Sequence, residues 1–172
     1  MFPLFRIYSK NSNTALNYAI VITSYPFIFL IDRISKILII NKSKELDQLE
    51  IFSSNFINFH LIWNEGIAFG LFSFGSSNIY QIITLIIILV IFVLIIYMLK
   101  SENFNEKFAF ILIIGGAFGN LFDRLYYKAV PDFIDFHVGN FHWFIFNVAD
   151  IFISLGVIVL LILEIFLKKI NE

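Results

Sequence analysis

The 172-residue chain contains no cysteine, which excludes disulfides, thiolate-ligated metals and a thiol nucleophile. A cysteine-free chain is compatible with either side of a membrane, so the absence fixes no redox compartment. Charge is also scarce, at 15% of residues against about 25% in ordinary soluble domains. A water-facing surface would be short of it, which argues against a soluble globular enzyme. The net charge of -1 comes without the basic stripe that nucleic-acid binding requires, so no nucleic-acid partner is expected. What remains is strongly apolar: 59% hydrophobic residues and a mean hydropathy of +0.86. These values predict a small polytopic membrane protein forming one domain over residues 1–172.

One stretch reads as an uninterrupted transmembrane helix. Ile79 to Leu99 holds 21 residues without a charge, enough to cross a hydrocarbon core about 30 Å thick. Three other segments reach spanning length only with ionisable residues included. Tyr18–Ile40 contains Asp32, Arg33 and Lys36; Phe108–Tyr127 contains Asp123 and Arg124; Phe144–Leu167 contains Asp150 and Glu164. Charges at such depth are costly and face a bundle interior or a water-filled site. The expectation is a membrane all-α bundle of four transmembrane helices, at about 18–40, 79–99, 108–127 and 144–167.

Basic residues orient the bundle. Four spans put both termini on one side, with Arg6, Lys10, Lys100, Lys107, Lys168 and Lys169 against Lys42, Lys44 and Lys128 on the other. Six against three places both termini in the cytoplasm. The polar N-terminal stretch Met1–Asn17 then lies on the cytoplasmic side, and it lacks the cleavage site of a signal peptide. In this frame Asp32, Lys36, Asp123 and Asp150 all fall near the outer end of the bundle.

The outer segments are unequal. From Ile57 to Trp63 the odd positions are Ile, Phe, Leu and Trp, alternating with Asn58 and His60. That period of two predicts a half-buried strand, within an extracytoplasmic β-region of about 50–75. Asn64-Glu65-Gly66 reads as a turn, and Gly70 and Gly75 add further breaks. The second outer segment, Lys128–Trp143, mixes Pro131, Asp132, Asp135, Gly139 and two histidines, and reads as a structured lid or loop.

Helical spacing groups the polar residues. Gly116, Asn120, Asp123 and Arg124 stand at i, i+4, i+7 and i+8, along one side of the third span. Gly115 and Gly119 form a GxxxG pair that admits a close neighbour. Asn147, Asp150 and Ser154 form a second stripe. Asp32 and Lys36 stand at i and i+4 with the acid first, the favourable order for an ion pair. No serine has a histidine or lysine base in a recognisable arrangement. His60, His137 and His142 show neither HExxH nor a two-histidine helical spacing, so no metal and no cofactor are expected. Carboxylates remain. Two of them brought together share a proton, one holding it while the other activates water. Asp132 and Asp150 suit that role, with Asp123 and Asp135 as rivals that spacing alone does not rank.

Five blocks, in order along the chain, resemble the lipoprotein signal peptidase (type II signal peptidase) family. They are Asp32-Arg-Ile-Ser-Lys36, Asn64-Glu-Gly-Ile-Ala-Phe-Gly70, Gly115-Gly-Ala-Phe-Gly-Asn-Leu-Phe-Asp-Arg124, Val130-Pro-Asp-Phe-Ile-Asp-Phe136 and Phe146-Asn-Val-Ala-Asp150. The resemblance implies an aspartyl endopeptidase of the bacterial cytoplasmic (inner) membrane, active near the outer face. Its reaction would remove the signal peptide of diacylglyceryl-modified prolipoproteins, on the N-terminal side of the lipidated cysteine. By motif position the catalytic pair falls on Asp132 and Asp150. Asp32, Lys36, Asn64, Gly66, Gly116, Asn120, Arg124 and Asn147 match positions that shape the site or hold substrate. Asp123 then becomes a structural acid beside Arg124, and Asp135 a loop acid. Membrane lipids are the other expected partners, and the protein is expected to act as a monomer. Pro131, Phe144 and Arg33 depart from the family pattern, where an aliphatic residue, proline and glutamine are usual, but none removes a carboxylate. The alternative reading is a small transporter or channel subunit with the acids as an ion or proton relay. Against it, the second span carries only Gln81 and Thr84 as polar residues. A presenilin-type protease is disfavoured by the missing YD and GxGD signatures.

Overall fold

The computed structural model describes residues 3–66 and 77–171. The chain runs α1 (Pro3–Leu46), β1 (Glu50–Phe52), β2 (Ile57–Asn64), α2 (Ser77–Lys100), α3 (Phe104–Tyr127), β3 (Val130–Val138), β4 (Phe141–Phe146) and α4 (Val148–Asn171). Gly70 and Gly75 lie outside the described residues. The four strands form one antiparallel sheet in the order β1-β2-β3-β4, attached to a mainly helical body.

Three helices among the described residues are long and apolar enough to cross a membrane: Asn78–Lys100, Phe104–Tyr127 and Val148–Ile165. The expected fourth span, about 18–40, is interrupted by Asp32, Arg33 and Lys36. It belongs to a longer helix that already begins at Pro3, so the stretch before Tyr18 has helical backbone. Helix α2 is apolar on every side and leaves Leu85, Phe92 and Leu99 exposed, as a lipid-facing helix must. Helix α3 is the centre of the bundle. Asn103 caps its start by accepting from the Asn105 N–H, and Lys128 ends it in the left-handed conformation at φ 63°. Ile111 and Ile114 of α3 are fully buried and pack with Ile28 of α1 and Ile91 of α2.

Glycines bring α3 against both neighbours. A Cβ on Gly115 would sit 3.0 Å from the Ile28 side chain of α1, whereas one on Gly116 would collide with the backbone carbonyl of Ala149 in α4. Side chains yield and backbones do not. Gly116→Ala is therefore expected to destabilise by about 1–3 kcal/mol through overpacking, and Gly115→Ala by less. Thermal unfolding of the detergent-solubilised variants checks the order; a more stable Gly116→Ala would contradict it.

Two differences from the sequence expectation concern the outer region. The segment read as a lid or loop is a β-hairpin, β3–β4, joined by Gly139-Asn140 with Gly139 at φ 59°, a conformation that glycine adopts without strain. Helix α4 consequently starts at Val148 and not near 144, because Phe144–Phe146 complete β4. Strand β2 matches its predicted span, yet its alternation breaks. Phe59 pairs with Ile134 but Ile62 pairs with Asp132, so β2 carries one extra residue. A bulge of that kind exchanges the two faces. Leu61 is buried as alternation predicts, while beyond the bulge Trp63 turns outward and Asn64 turns in.

Candidate active site

The polar residues pool where the sheet meets α3 and α4. Asp132 lies on β3 and is only 4% exposed. Its Oδ2 accepts from Asn64 Nδ2 at 2.8 Å and its Oδ1 from Asn147 Nδ2 at 2.6 Å. The bulge in β2 is what aims Asn64 at it. The Asn64 side-chain oxygen in turn accepts the Gly66 N–H at 2.9 Å, an Asx turn that fixes the amide orientation.

Asp150 sits three residues into α4. Its Oδ2 accepts the Asn147 backbone N–H at 3.1 Å, and Asn147 Oδ1 accepts the Asp150 N–H at 3.2 Å. This is a reciprocal capping box, so the i, i+3 spacing marks a helix start. Asn147 precedes the helix as its cap and does not continue a stripe along it. Through its side-chain amide and backbone it touches both carboxylates. Asp150 Oδ1 also accepts from Asn120 Nδ2 at 2.8 Å.

Behind the two acids is a buried charge cluster. Lys36 Nζ lies 2.9 Å from Asp32 Oδ2, 2.7 Å from Asp123 Oδ2 and 2.9 Å from Asn120 Oδ1. An ammonium has three donors and no acceptor. It therefore fixes the Asn120 amide with its oxygen toward Lys36 and its nitrogen toward Asp150. Asp32 Oδ1 accepts the Ala149 backbone N–H at 3.0 Å, which ties α1 to the first turn of α4. Asp123 pairs with Arg33 and Lys36 of α1, a structural acid whose charged partners lie on the neighbouring helix. The four residues on one side of α3 thus diverge. Gly116 and Asn120 serve α4, Asp123 serves α1, and Arg124 donates to the Gly66 carbonyl beneath the Tyr80 ring.

An apolar cavity of about 700 Å³ opens onto Asp132 and Asp150. Asn64, Asn120, Arg124 and Asn147 also line it, and its walls come from residues such as Ile87, Val90, Ile91 and Leu94 of α2 and Ile153 and Leu155 of α4. Burial raises Asp132 from its ordinary value to about 6, with the Asp150 charge adding to the rise. The rivals are elsewhere: Asp123 is locked in the charge cluster, and Asp135 is a buried strand residue against His142, not a loop acid. Sequence reasoning missed Tyr80, whose hydroxyl donates to the Arg124 carbonyl oxygen at 2.7 Å, and the α2 cavity wall. An all-apolar run gives no sign of which face borders a cavity.

The profile of the Signal peptidase (SPase) II family matches residues 25–167. The chain belongs to the signal peptidase II family. A lipoprotein signal peptidase of Pelagibacter ubique is 48% identical over 93% of this chain and 95% of that protein. One from Anaplasma phagocytophilum is 36% identical over 80% and 86%. A bacterial membrane enzyme solved by the in meso method at 2.3 Å resolution superposes with a TM-score of 0.72 and 26% identity, covering 92% of each chain. The signal peptidase II profile thus spans all the polar residues described above, from Asp32 to Asp150.

Proposed function

We propose that Asp132 and Asp150 are the catalytic pair of a membrane aspartyl endopeptidase that removes the signal peptide of prolipoproteins, cutting before the diacylglyceryl-modified cysteine. The observation that carries this reading is the pair itself: two carboxylates, both held by Asn147, at the mouth of an apolar cavity. Asp132 holds the proton and ionised Asp150 takes one from water. The water oxygen attacks the scissile carbonyl while Asp132 protonates the carbonyl oxygen. Collapse of the tetrahedral diol passes a proton to the departing amine, leaving a free cysteine amino group and a new carboxyl group. The cavity takes the acyl chains, Asn64 and Asn120 set the two acids, and Arg124 braces the turn at Gly66.

The protein resides in the bacterial inner membrane, and α1 serves as the fourth span. Its Asp32, Arg33 and Lys36 are neutralised inside the bundle with Asp123, so they present little charge to lipid. Both termini are cytoplasmic, the pair and the sheet are at the outer face, and the protein acts as a monomer. An ion relay fits poorly, since these charges are consumed by one another at a single level.

The test is a reconstituted cleavage assay. A lipidated precursor is expected to be cut and its cysteine-to-serine, unlipidated counterpart spared. Equal cleavage of both would refute the lipid requirement. The pH profile has a definite sign. Asp132 titrates at about 6, so kcat/KM falls as pH rises through that value and the shared proton is lost. Bound substrate excludes water and disfavours ionisation further, which moves the alkaline limb of kcat to higher pH. A kcat/KM that climbs steadily from about pH 5 to 8 would assign Asp132 the opposite role.

A further inference from the structure

The β3–β4 hairpin holds a second cluster that does not line the cavity. His137 and His142 pair across the two strands, with their rings stacked at 4.9 Å between centroids and 16° between planes. Asp135 stands two residues before His137, so the pleat puts both on one face. Its carboxylate oxygens lie 3.0 and 2.9 Å from His142 Nδ1. One donor atom from each of the three residues falls within 4.8 Å of the others. Around a tetrahedral zinc ion, with bonds of about 2.0–2.2 Å, donors stand roughly 3.4 Å apart, so the set closes once the two rings turn out of their stack and each points a nitrogen at the ion.

Two further observations favour a ligand there. His137 is buried, at 9% exposure, and its Nδ1 has no hydrogen-bond partner. Buried polar atoms are rarely left that way, and His137 is one of the three residues whose donor atoms converge here. Asp135 is also supported from behind, by Asn58 Nδ2 at 3.3 Å, the outer-shell contact that orients a metal-binding carboxylate. His142 is 52% exposed, which leaves an entry path and room for water as a fourth ligand.

We propose that Asp135, His137 and His142 bind a divalent transition-metal ion of the zinc type. Two imidazoles with one carboxylate suit zinc, nickel or copper, whereas calcium and magnesium take oxygen ligands. The two histidines meet across a hairpin, a pairing that helical spacing does not encode. An ion there pins β4 to β3, the strand that carries Asp132, and β4 leads directly into Asn147.

The experiment uses the full-length protein in detergent, stripped with EDTA, dialysed and titrated with zinc chloride by calorimetry. Wild type is expected to bind one zinc per chain, and zinc raises its unfolding temperature. His142→Ala is expected to weaken binding by more than about 100-fold, beyond the 10–100-fold of an outer-shell loss, and Asn58→Ala to fall within that smaller range. His60→Ala, on β2, binds as wild type does. Because His142 is half-exposed, its variant keeps the metal-free unfolding temperature, which separates lost coordination from lost folding. Cobalt(II) substituted for zinc reports the coordination through visible absorption that the His142 variant lacks. No saturable binding to wild type, or equal affinity in wild type and His142→Ala, overturns the site. None of these readouts depends on peptidase activity.

Discussion

Asp132→Asn is expected to lower prolipoprotein cleavage about 10⁴-fold, the upper end of what one positioned acid or base contributes, because the pair loses its shared proton. The substitution is nearly isosteric, and its cost to folding is traceable. Both oxygens of Asp132 accept from amide NH₂ groups, so an asparagine there turns one NH₂ toward another. Neither neighbour flips freely. Asn64 Oδ1 is held by the Gly66 N–H and Asn147 Oδ1 by the Asp150 N–H. The unmade hydrogen bond costs about 1–3 kcal/mol, a loss that leaves folded protein in the membrane. Asp150→Asn is expected to be equally inactive, and the double variant no worse than either single one, since the two act as a unit. Asp135→Asn separates the rivals by retaining cleavage in metal-free buffer. Near-normal turnover by Asp132→Asn or Asp150→Asn, measured on membranes with matched protein levels, would overturn the dyad.

The parts of this site that were legible in the sequence are those written in local patterns. The apolar run predicted at 79–99 is α2 at Ser77–Lys100, because a span without charges has only one solution in lipid. The alternation at 57–63 is β2. The i, i+4 pair Asp32 and Lys36 is an ion pair at 2.9 Å. What was not legible depends on pairing across sequence. The β3–β4 hairpin carries Pro131, two aspartates and the aromatic run Phe141–Phe144, and its β4 side has an extra residue between the pairs Asp135–Ile145 and His137–His142. No period of two survives that. The inward turn of Asn64 depends on a bulge that alternation does not encode. Arg33, a departure from the family pattern, gave no hint of Asp123 as its partner, since that contact is made between α1 and α3, 90 residues apart.

Lys36 carries the largest expected effect on stability. Lys36, Asp32 and Asp123 are all 0% exposed in their side chains, and Lys36 is the ion shared by both acids. Replacing it with methionine preserves volume but leaves two buried carboxylates with Arg33 as their remaining cation. Removing one partner of a buried charge pair costs about 3–5 kcal/mol, equivalent to a fall of roughly 6–20 °C in Tm for a chain of this size. The charge balance gives a sharper expectation. In the double variant Lys36→Met with Asp123→Asn, one acid goes with the cation, and Arg33 still lies 4.0 Å from Asp32. The double variant is therefore expected to be more stable than Lys36→Met alone, a coupling that independent sites do not show. Activity should not recover with stability. Asn120 Oδ1 loses the ammonium that fixes its amide, so Asn120 is free to turn its oxygen toward Asp150, where two acceptors repel. Thermal unfolding and cleavage measured on the same preparations decide the matter. A Lys36→Met protein within about 1 kcal/mol of wild type would show that the cluster carries no net stability, as the strong desolvation of buried ions allows. A double variant that regained cleavage would remove Lys36 and Asn120 from the positioning of Asp150.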